Sequence, residues 1–408
     1  MSAPARGSRP RGTDVSALAS GSMSEQHVER DQRVTPLELF FDLVFVFAFT
    51  QVTIVLSDNP TWSGLAHGLL ILAVLWWAWS AYAWLTNSVD PEEGAMWLTM
   101  LVAMAAMFVA ALAVPEAFDR HGVVFGVAFL IVIVMHLTLH GLAARGDADL
   151  VAAILRLVPS SIVGALLIIA AGFAHGSLRS ILWVAALAAG YLVPLLTGIA
   201  GLHVYPVHFV ERHGLIVIIA IGESLAAIGL GARGTGLGTT VIVAAVLGLT
   251  VAAGFWLAYF DFFTIRVQRI LADRSGRQQV ILARDAYSYL HLPMVAGIVL
   301  FAFATKTTLA HVGEDLATIP ALALCWGPSV YLFAYVALGV RLARRLSRGR
   351  LVAAVACAAL LPVATAVPAV VALALVTAVW IALHVYELIW WRQARAETRA
   401  QRVPASAS

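Results

Sequence analysis

Charge is what this sequence has least of: Asp, Glu, Lys and Arg make up 12% of its 408 residues, against about a quarter in soluble domains. That deficit excludes an ordinary water-soluble fold. With 61% hydrophobic residues and a mean hydropathy of +0.89, the composition is that of a polytopic membrane protein. Cysteine is nearly absent too. Cys325 and Cys357 both lie in apolar runs and match no metal or redox spacing, so neither a disulfide framework nor a metal site is expected. There is no Walker loop, no GxGxxG after a strand, no GxSxG elbow and no CxxCH, which argues against ATP-driven pumping and redox chemistry, and no cofactor is expected. Residues 1–34 lack the apolar stretch of about 7–15 residues that a secretory signal needs. They read as a disordered cytoplasmic tail, and residues 393–408 as a second one.

Long apolar runs are what the chain does have. Twelve of them, near the roughly 20 residues that cross a bilayer, fall between residues 37 and 392. The expectation is an all-α integral membrane protein of about twelve transmembrane helices. The eleventh run, 351–366, is short, contains Pro362 and is followed by Pro368, which leaves a re-entrant pair or a broken helix open. Of the 26 Lys and Arg, twenty fall on the N-terminal side of this alternation, four on the other, and Arg156 and Arg212 within helices. By the positive-inside rule both termini are cytoplasmic and the protein is multi-pass in the cell membrane. Because the arginines cluster in loops and tails, no nucleic-acid partner is expected.

The halves echo each other. A shift of about 173 residues lays Glu38 on Glu211, and Thr50 and Gln51 on Glu223 and Ser224. It also sets the aromatic end Trp76–Asn87 near Gly254–Asp261, and LHVY occurs at Leu202–Tyr205 and Leu383–Tyr386. Two six-helix units, 35–201 and 202–392, account for this as a 6+6 parallel internal repeat with both halves in one orientation.

Ionisable groups inside such runs are costly and call for a partner, a pathway or a coupled proton. Glu38 and Asp42 lie four residues apart on one face of the first run, with Thr50 and Thr53 further along it. Glu38, in the first turn, suits an interfacial role. Arg212 and Glu223 share a face but stand about 16 Å apart along it, too far to pair. Arg212 is then the natural counter-charge for Glu38 or Asp42, leaving Glu223 deep in the membrane beside Gly222, which would permit close helix approach. His213 reads as an interfacial hydrogen-bonding residue. His291, with Tyr287 and Tyr289 ahead of Pro293, is either a proton relay or bonded to Tyr289 or the local backbone. His136 and His140 have no third metal ligand. Trp76, Trp77, Trp79 and Trp84 read partly as an interfacial belt, with Trp84, Thr86 and Asn87 near a cavity. Each set has a functional reading, as an ion or proton site, and a structural one, as a satisfied ion pair.

The stretches TPLELFFDLVFVFAFTQ from Thr35, WLTN from Trp84, ERHGLIVIIAIGES from Glu211, LAYFD from Leu257 and YLHLPMVAGI from Tyr289 resemble, in this order, the bacterial low temperature requirement A family. The resemblance implies a polytopic inner-membrane protein and brings no mechanism with it. It carries Glu38, Asp42, Asn87, Glu211, Arg212, His213, Gly222, Glu223, Ser224, Asp261 and His291. Phe40, Asp42, Val44, Phe45, Ala48 and Thr50 are also similar to the FSD pore-helix pattern of the endolysosomal potassium channel family, itself two six-helix repeats, with Phe41 in place of the serine.

The leading expectation is a transporter or channel-like protein moving a cation, a proton or a small solute. Asp42 and Glu223 would bear the charge and Arg212 would modulate it. Membrane lipids are the other expected partners, and self-association is left open. The alternatives are a membrane-embedded enzyme acting on a lipid with a histidine as acid–base group, or a sensor or scaffold that sets the basic Arg341–Arg350 loop against anionic lipid.

Overall fold

In the computed structural model, residues 34–88, 94, 96–144, 148–197, 202, 204–261 and 263–390 are described; most of the first expected tail and all of the second lie outside them. The first helix shows how local signals place an element. Thr35 caps α1 (Pro36–Asp58) in a capping box: its hydroxyl accepts from the Glu38 amide, the Glu38 carboxylate accepts from the Thr35 amide, and Pro36 occupies the first helical position. The chain then alternates in direction through α2 (Trp62–Thr86), α3 (Met96–Ala113, extended by a 3₁₀ turn to Glu116), α4 (Gly122–Ala143), α5 (Ala148–Phe173), α6 (Gly176–Thr197), α7 (Pro206–Gly231) and α8 (Thr239–Phe260). We call the end of the bundle where α1 begins proximal and the opposite end distal.

Two short helices, α9 (Phe263–Ala272) and α10 (Gly276–Ala283), follow at the proximal end. They bury Val267, Leu271 and Val280 and expose Arg266, Arg269, Arg274 and Arg277. A π-helical turn over Arg284–Tyr289 leads into α11 (His291–Ala310), then α12 (Thr318–Ala343). Pro293 sits at the third position of α11, and the widened turn before it absorbs the disruption a proline imposes on the preceding carbonyls.

Eleven helices among the described residues are long and apolar enough to cross a membrane. The eleventh expected run is not a continuous span. It is divided into α13 (Arg348–Ala359) and α14 (Leu361–Ala364) at Pro362, and α13 alone reaches only about 18 Å. Even so, it carries the chain back along the whole of α12. The Ser329 hydroxyl, midway along α12, bonds the Ala354 carbonyl. At the far end the Ala369 amide bonds Glu314 O (2.8 Å) and Asp315 bridges Pro368. The last helix, α15 (Ala369–Trp390), therefore starts at the distal end.

Helices α2 and α11 are the most buried spans, α5 and α6 the least. Around the centre, α1 packs on α2, α7 and α11. A close approach joins α11 and α12, where a Cβ on Gly297 would lie 2.5 Å from the Gly327 carbonyl oxygen and one on Gly327 would lie 2.7 Å from Gly297 O. Small residues allow this contact between backbones, as membrane helices use it.

Candidate functional site

Helices α1 and α7 both start at the proximal end, and so run side by side in the same direction. Their polar residues pair in register: His208 with Glu38 and Arg212 with Asp42, each pair 170 residues apart. Arg212 Nη1 donates to Asp42 Oδ2 (2.9 Å) and to the Glu38 carbonyl (3.0 Å), and Arg212 Nε lies 3.5 Å from Glu38 Oε1. His208 Nε2 reaches Glu38 Oε2 at 3.1 Å. The other Asp42 oxygen accepts the indole N–H of Trp79 (2.9 Å), whose ring also faces the guanidinium at 5.8 Å.

Glu38, Asp42 and Arg212 are all at most 1% exposed. Three charged side chains this deep must repay a desolvation cost of several kcal/mol each, which needs both close pairing and further hydrogen bonds. The cluster provides close pairing and bonds for Arg212 Nη1 and both Asp42 oxygens, while Arg212 Nε and Nη2 and Glu38 Oε1 have no hydrogen-bond partner among the described residues. Glu38 is therefore a buried cap and ion-pair partner, not an interfacial acid. His208 was not singled out from the sequence, although it stands one turn before Arg212 just as Glu38 stands one turn before Asp42.

Glu223 lies three turns further along α7 and has a different setting. Its Oε2 is 2.5 Å from Thr50 Oγ1, while its Oε1 has no hydrogen-bond partner among the described residues. Ser224, next to it, is fully buried and its hydroxyl is likewise unbonded there. Lys306 on α11 is the cation that faces Glu223, beyond ion-pairing distance. Gly222 points outward: a Cβ there would meet nothing within 4 Å, so it does not provide the close approach expected of it.

The remaining candidates divide. His213 is fully buried, not interfacial: its Nδ1 is 2.8 Å from Phe209 O and its ring packs on Trp79, Phe209 and Tyr287. His291 lies behind it, 5.6 Å away between ring centres, joined to Tyr259 OH (2.9 Å) and Ala286 O (2.8 Å) rather than to Tyr289. Glu211 is exposed on the outer face of α7. Asp261 ends α8 half-buried, and Asn87 ends α2 buried; neither joins the α1–α7 cluster.

Nor do the tryptophans of α2 form a belt. Trp76 and Trp79 are fully buried and Trp84 nearly so, and their indoles are used as donors: Trp76 to Ser288 O, Trp84 to Ser288 Oγ, both at 2.8 Å. Ser288 sits in the π-helical turn and was not anticipated.

In the second half, Arg350 holds Glu387 through two bonds (2.6 and 3.2 Å) and stacks 3.7 Å from the Tyr335 ring centre. Arg341 pairs with Asp285 (2.8 Å). The basic loop at Arg341–Arg350 thus commits two of its five arginines to structural pairs. Among the described residues no group of His, Cys, Asp and Glu is placed to hold a metal ion.

A profile of the bacterial low temperature requirement A protein (LtrA) family matches residues 33–385. The chain belongs to that family. The match spans the Glu38–Asp42–Arg212 cluster, Glu223 and the π-helical turn alike, so the site lies within what defines an LtrA protein. The chain is also similar to a protein of Rhizobium meliloti (strain 1021) named uncharacterized protein RA0937, at 32% identity over 76% of this chain and 80% of the relative. No solved structure matches. Membership establishes a multi-pass helical membrane protein, and the chemistry has to come from the site itself.

Proposed function

We propose that this LtrA protein is transporter-like and that Glu223 is its charge-exchanging group, binding and releasing a proton or a small cation as a solute or ion moves. The Glu38–Arg212–Asp42 cluster is then the fixed joint of the bundle, and Asp42 is not the moving charge. The supporting observation is that Glu223 is a buried acid with a hydroxyl, and no arginine, against it. Thr50 Oγ1 lies 2.5 Å from Glu223 Oε2 and 3.1 Å from Val46 O, and a hydroxyl has one hydrogen to give. Thr50 serves both acceptors by sharing its one hydrogen, and a proton on Glu223 would give each contact a hydrogen of its own.

Of the four buried acids among the described residues, Glu38, Asp42 and Glu387 sit against an arginine, and Glu223 does not. An unpaired carboxylate at this depth costs several kcal/mol unless a proton or a cation neutralises it. That makes Glu223 the position where binding a small positive species is worth most.

The test is flux in proteoliposomes containing a pH-sensitive dye, with a potassium diffusion potential imposed. The protein should carry proton or monovalent cation current, and Glu223→Gln should reduce it at least about tenfold while remaining monodisperse. Equal flux in Glu223→Gln and wild-type protein would overturn the reading.

A further inference from the structure

Away from Glu223, the proximal end of the first half holds a half-open cleft between α2, α4, α5 and the end of α6, about 820 Å³ with the open solvent at its mouth included. A second cavity of about 330 Å³ shares Trp77, Ile133, Ser160 and Ser161 with it. Chain direction shows how the two are stacked. On α2 the lining moves from Trp84 to Val74, on α4 from His140 to Phe129, and on α5 from Ile154 to Ile168. Helices α2 and α4 run toward the proximal end and α5 runs away from it, so all three shifts lead deeper. The fourteen helical steps from Ile154 to Ile168 make a path of about 21 Å, most of a hydrocarbon core of about 30 Å.

The wall of this path is mostly apolar, with Ser80, Ser288, His136 and His140 lining its proximal part. Ser160 and Ser161 turn their hydroxyls onto Leu157 O of their own helix. Gly164 and Gly190 keep the deep part narrow but open: a Cβ would meet Ala186 O at 3.4 Å and Trp77 Nε1 at 3.3 Å respectively. The helices forming its outer side, α5 and α6, are the least buried spans, at 22%, so the path borders the lipid.

Its mouth is charged. Arg284 lines it and pairs with Asp285 Oδ1 (2.7 Å), while Arg341 pairs with Asp285 Oδ2 (2.8 Å). Arg341 stands outside the lining and Arg284 also donates to Pro194 O (3.1 Å); the two guanidiniums share one carboxylate, which leaves this trio one positive charge in excess.

We propose that this stacked cleft binds a single-chain amphipath with an anionic head, the chain lying along α5 toward Ile168 and the carboxylate or phosphate drawn to the Arg284–Arg341 mouth. The site is separate from Glu223 and stands or falls without it. A free fatty acid and a lysophospholipid share this chemistry, so both are tested. The protein in nanodiscs is titrated with chain-brominated fatty acids of eight and sixteen carbons, with brominated lysophosphatidic acid and with the sixteen-carbon methyl ester, and tryptophan quenching is compared with that of nanodiscs lacking the protein.

Saturable quenching is expected from the long acid, the lysophosphatidic acid or both, at least about fivefold tighter than for the ester and for the eight-carbon acid. Ser161→Phe, placed where the two cavities join, should abolish the preference for the long chain while leaving the short one bound. Arg341→Gln, at the exposed mouth, should abolish the preference for acid over ester. Linear quenching indistinguishable from plain partition, or unchanged chain-length and headgroup preferences in both variants, would overturn the proposal.

Discussion

Thr50 on α1 and Glu223 on α7, 173 residues apart, meet side chain to side chain at 2.5 Å. The same shift is the one the sequence suggests as relating two six-helix halves. In any pair of units related by a two-fold axis, equivalent residues touch each other only at the axis. The contact is what an axis passing between α1 and α7 would require, and the Arg212 cluster lies three turns nearer the proximal end along the same helix pair. A buried ion-pair cluster and a hydroxyl-bonded acid without an arginine thus occupy two levels of one interface.

Arg212 is the keystone of the lower level. Replacing it with Met leaves Glu38 and Asp42 buried against each other with no guanidinium, and breaking such a pair costs about 3–5 kcal/mol. Thermal unfolding in detergent should show a large fall in Tm for Arg212→Met. Adding Glu38→Gln and Asp42→Asn should restore most of it, because no uncompensated charge then remains. A triple variant no more stable than the single one would show that the cluster's charges are not what the arginine holds.

Glycine tolerance should follow the backbone contacts and not the motif. Gly297→Val drives side-chain atoms into the Gly327 carbonyl and should abolish folding or lower Tm by more than ten degrees or so, in line with overpacking costs of about 1–3 kcal/mol or more. Gly222→Ala, although next to Glu223, meets open space and should leave Tm and flux unchanged.

At the end of α12, Arg344 adopts φ 50, and the amides of Arg344 and Arg345 bond back to Val340 and Gly339. The Arg344 bond to Val340 O is that of an αL ending, in which the left-handed position favours glycine. Arg344→Gly should raise stability by about 1 kcal/mol, measured as a higher Tm, since this guanidinium belongs to none of the pairs that hold the loop.

Much of this was written in the sequence. The helical class followed from run length and charge deficit, and the pairing of Arg212 with the α1 acids followed from helical spacing and the cost of burial. Spacing cannot give helix rotation relative to neighbours, which is why His208 was missed, His213 was placed at the interface, Gly222 was set inside and Glu211 was grouped with the site. One residue along an α-helix turns the side chain by about 100°, enough to exchange a buried face for a lipid-facing one. The tryptophans of α2 were hidden for another reason. An indole donor's partner, such as Asp42 or the π-turn serine Ser288, comes from a distant segment, and nothing local to Trp76–Trp84 signals it.

The central claim is that Glu223 holds an exchangeable proton through its bond to Thr50, and infrared difference spectroscopy between acidic and alkaline buffers tests it most directly. The wild-type protein should show the carbonyl stretch of a protonated buried carboxyl that disappears on deprotonation, moves to another frequency in Thr50→Val and is missing from Glu223→Gln. A difference spectrum in which that band survives Glu223→Gln would contradict the account.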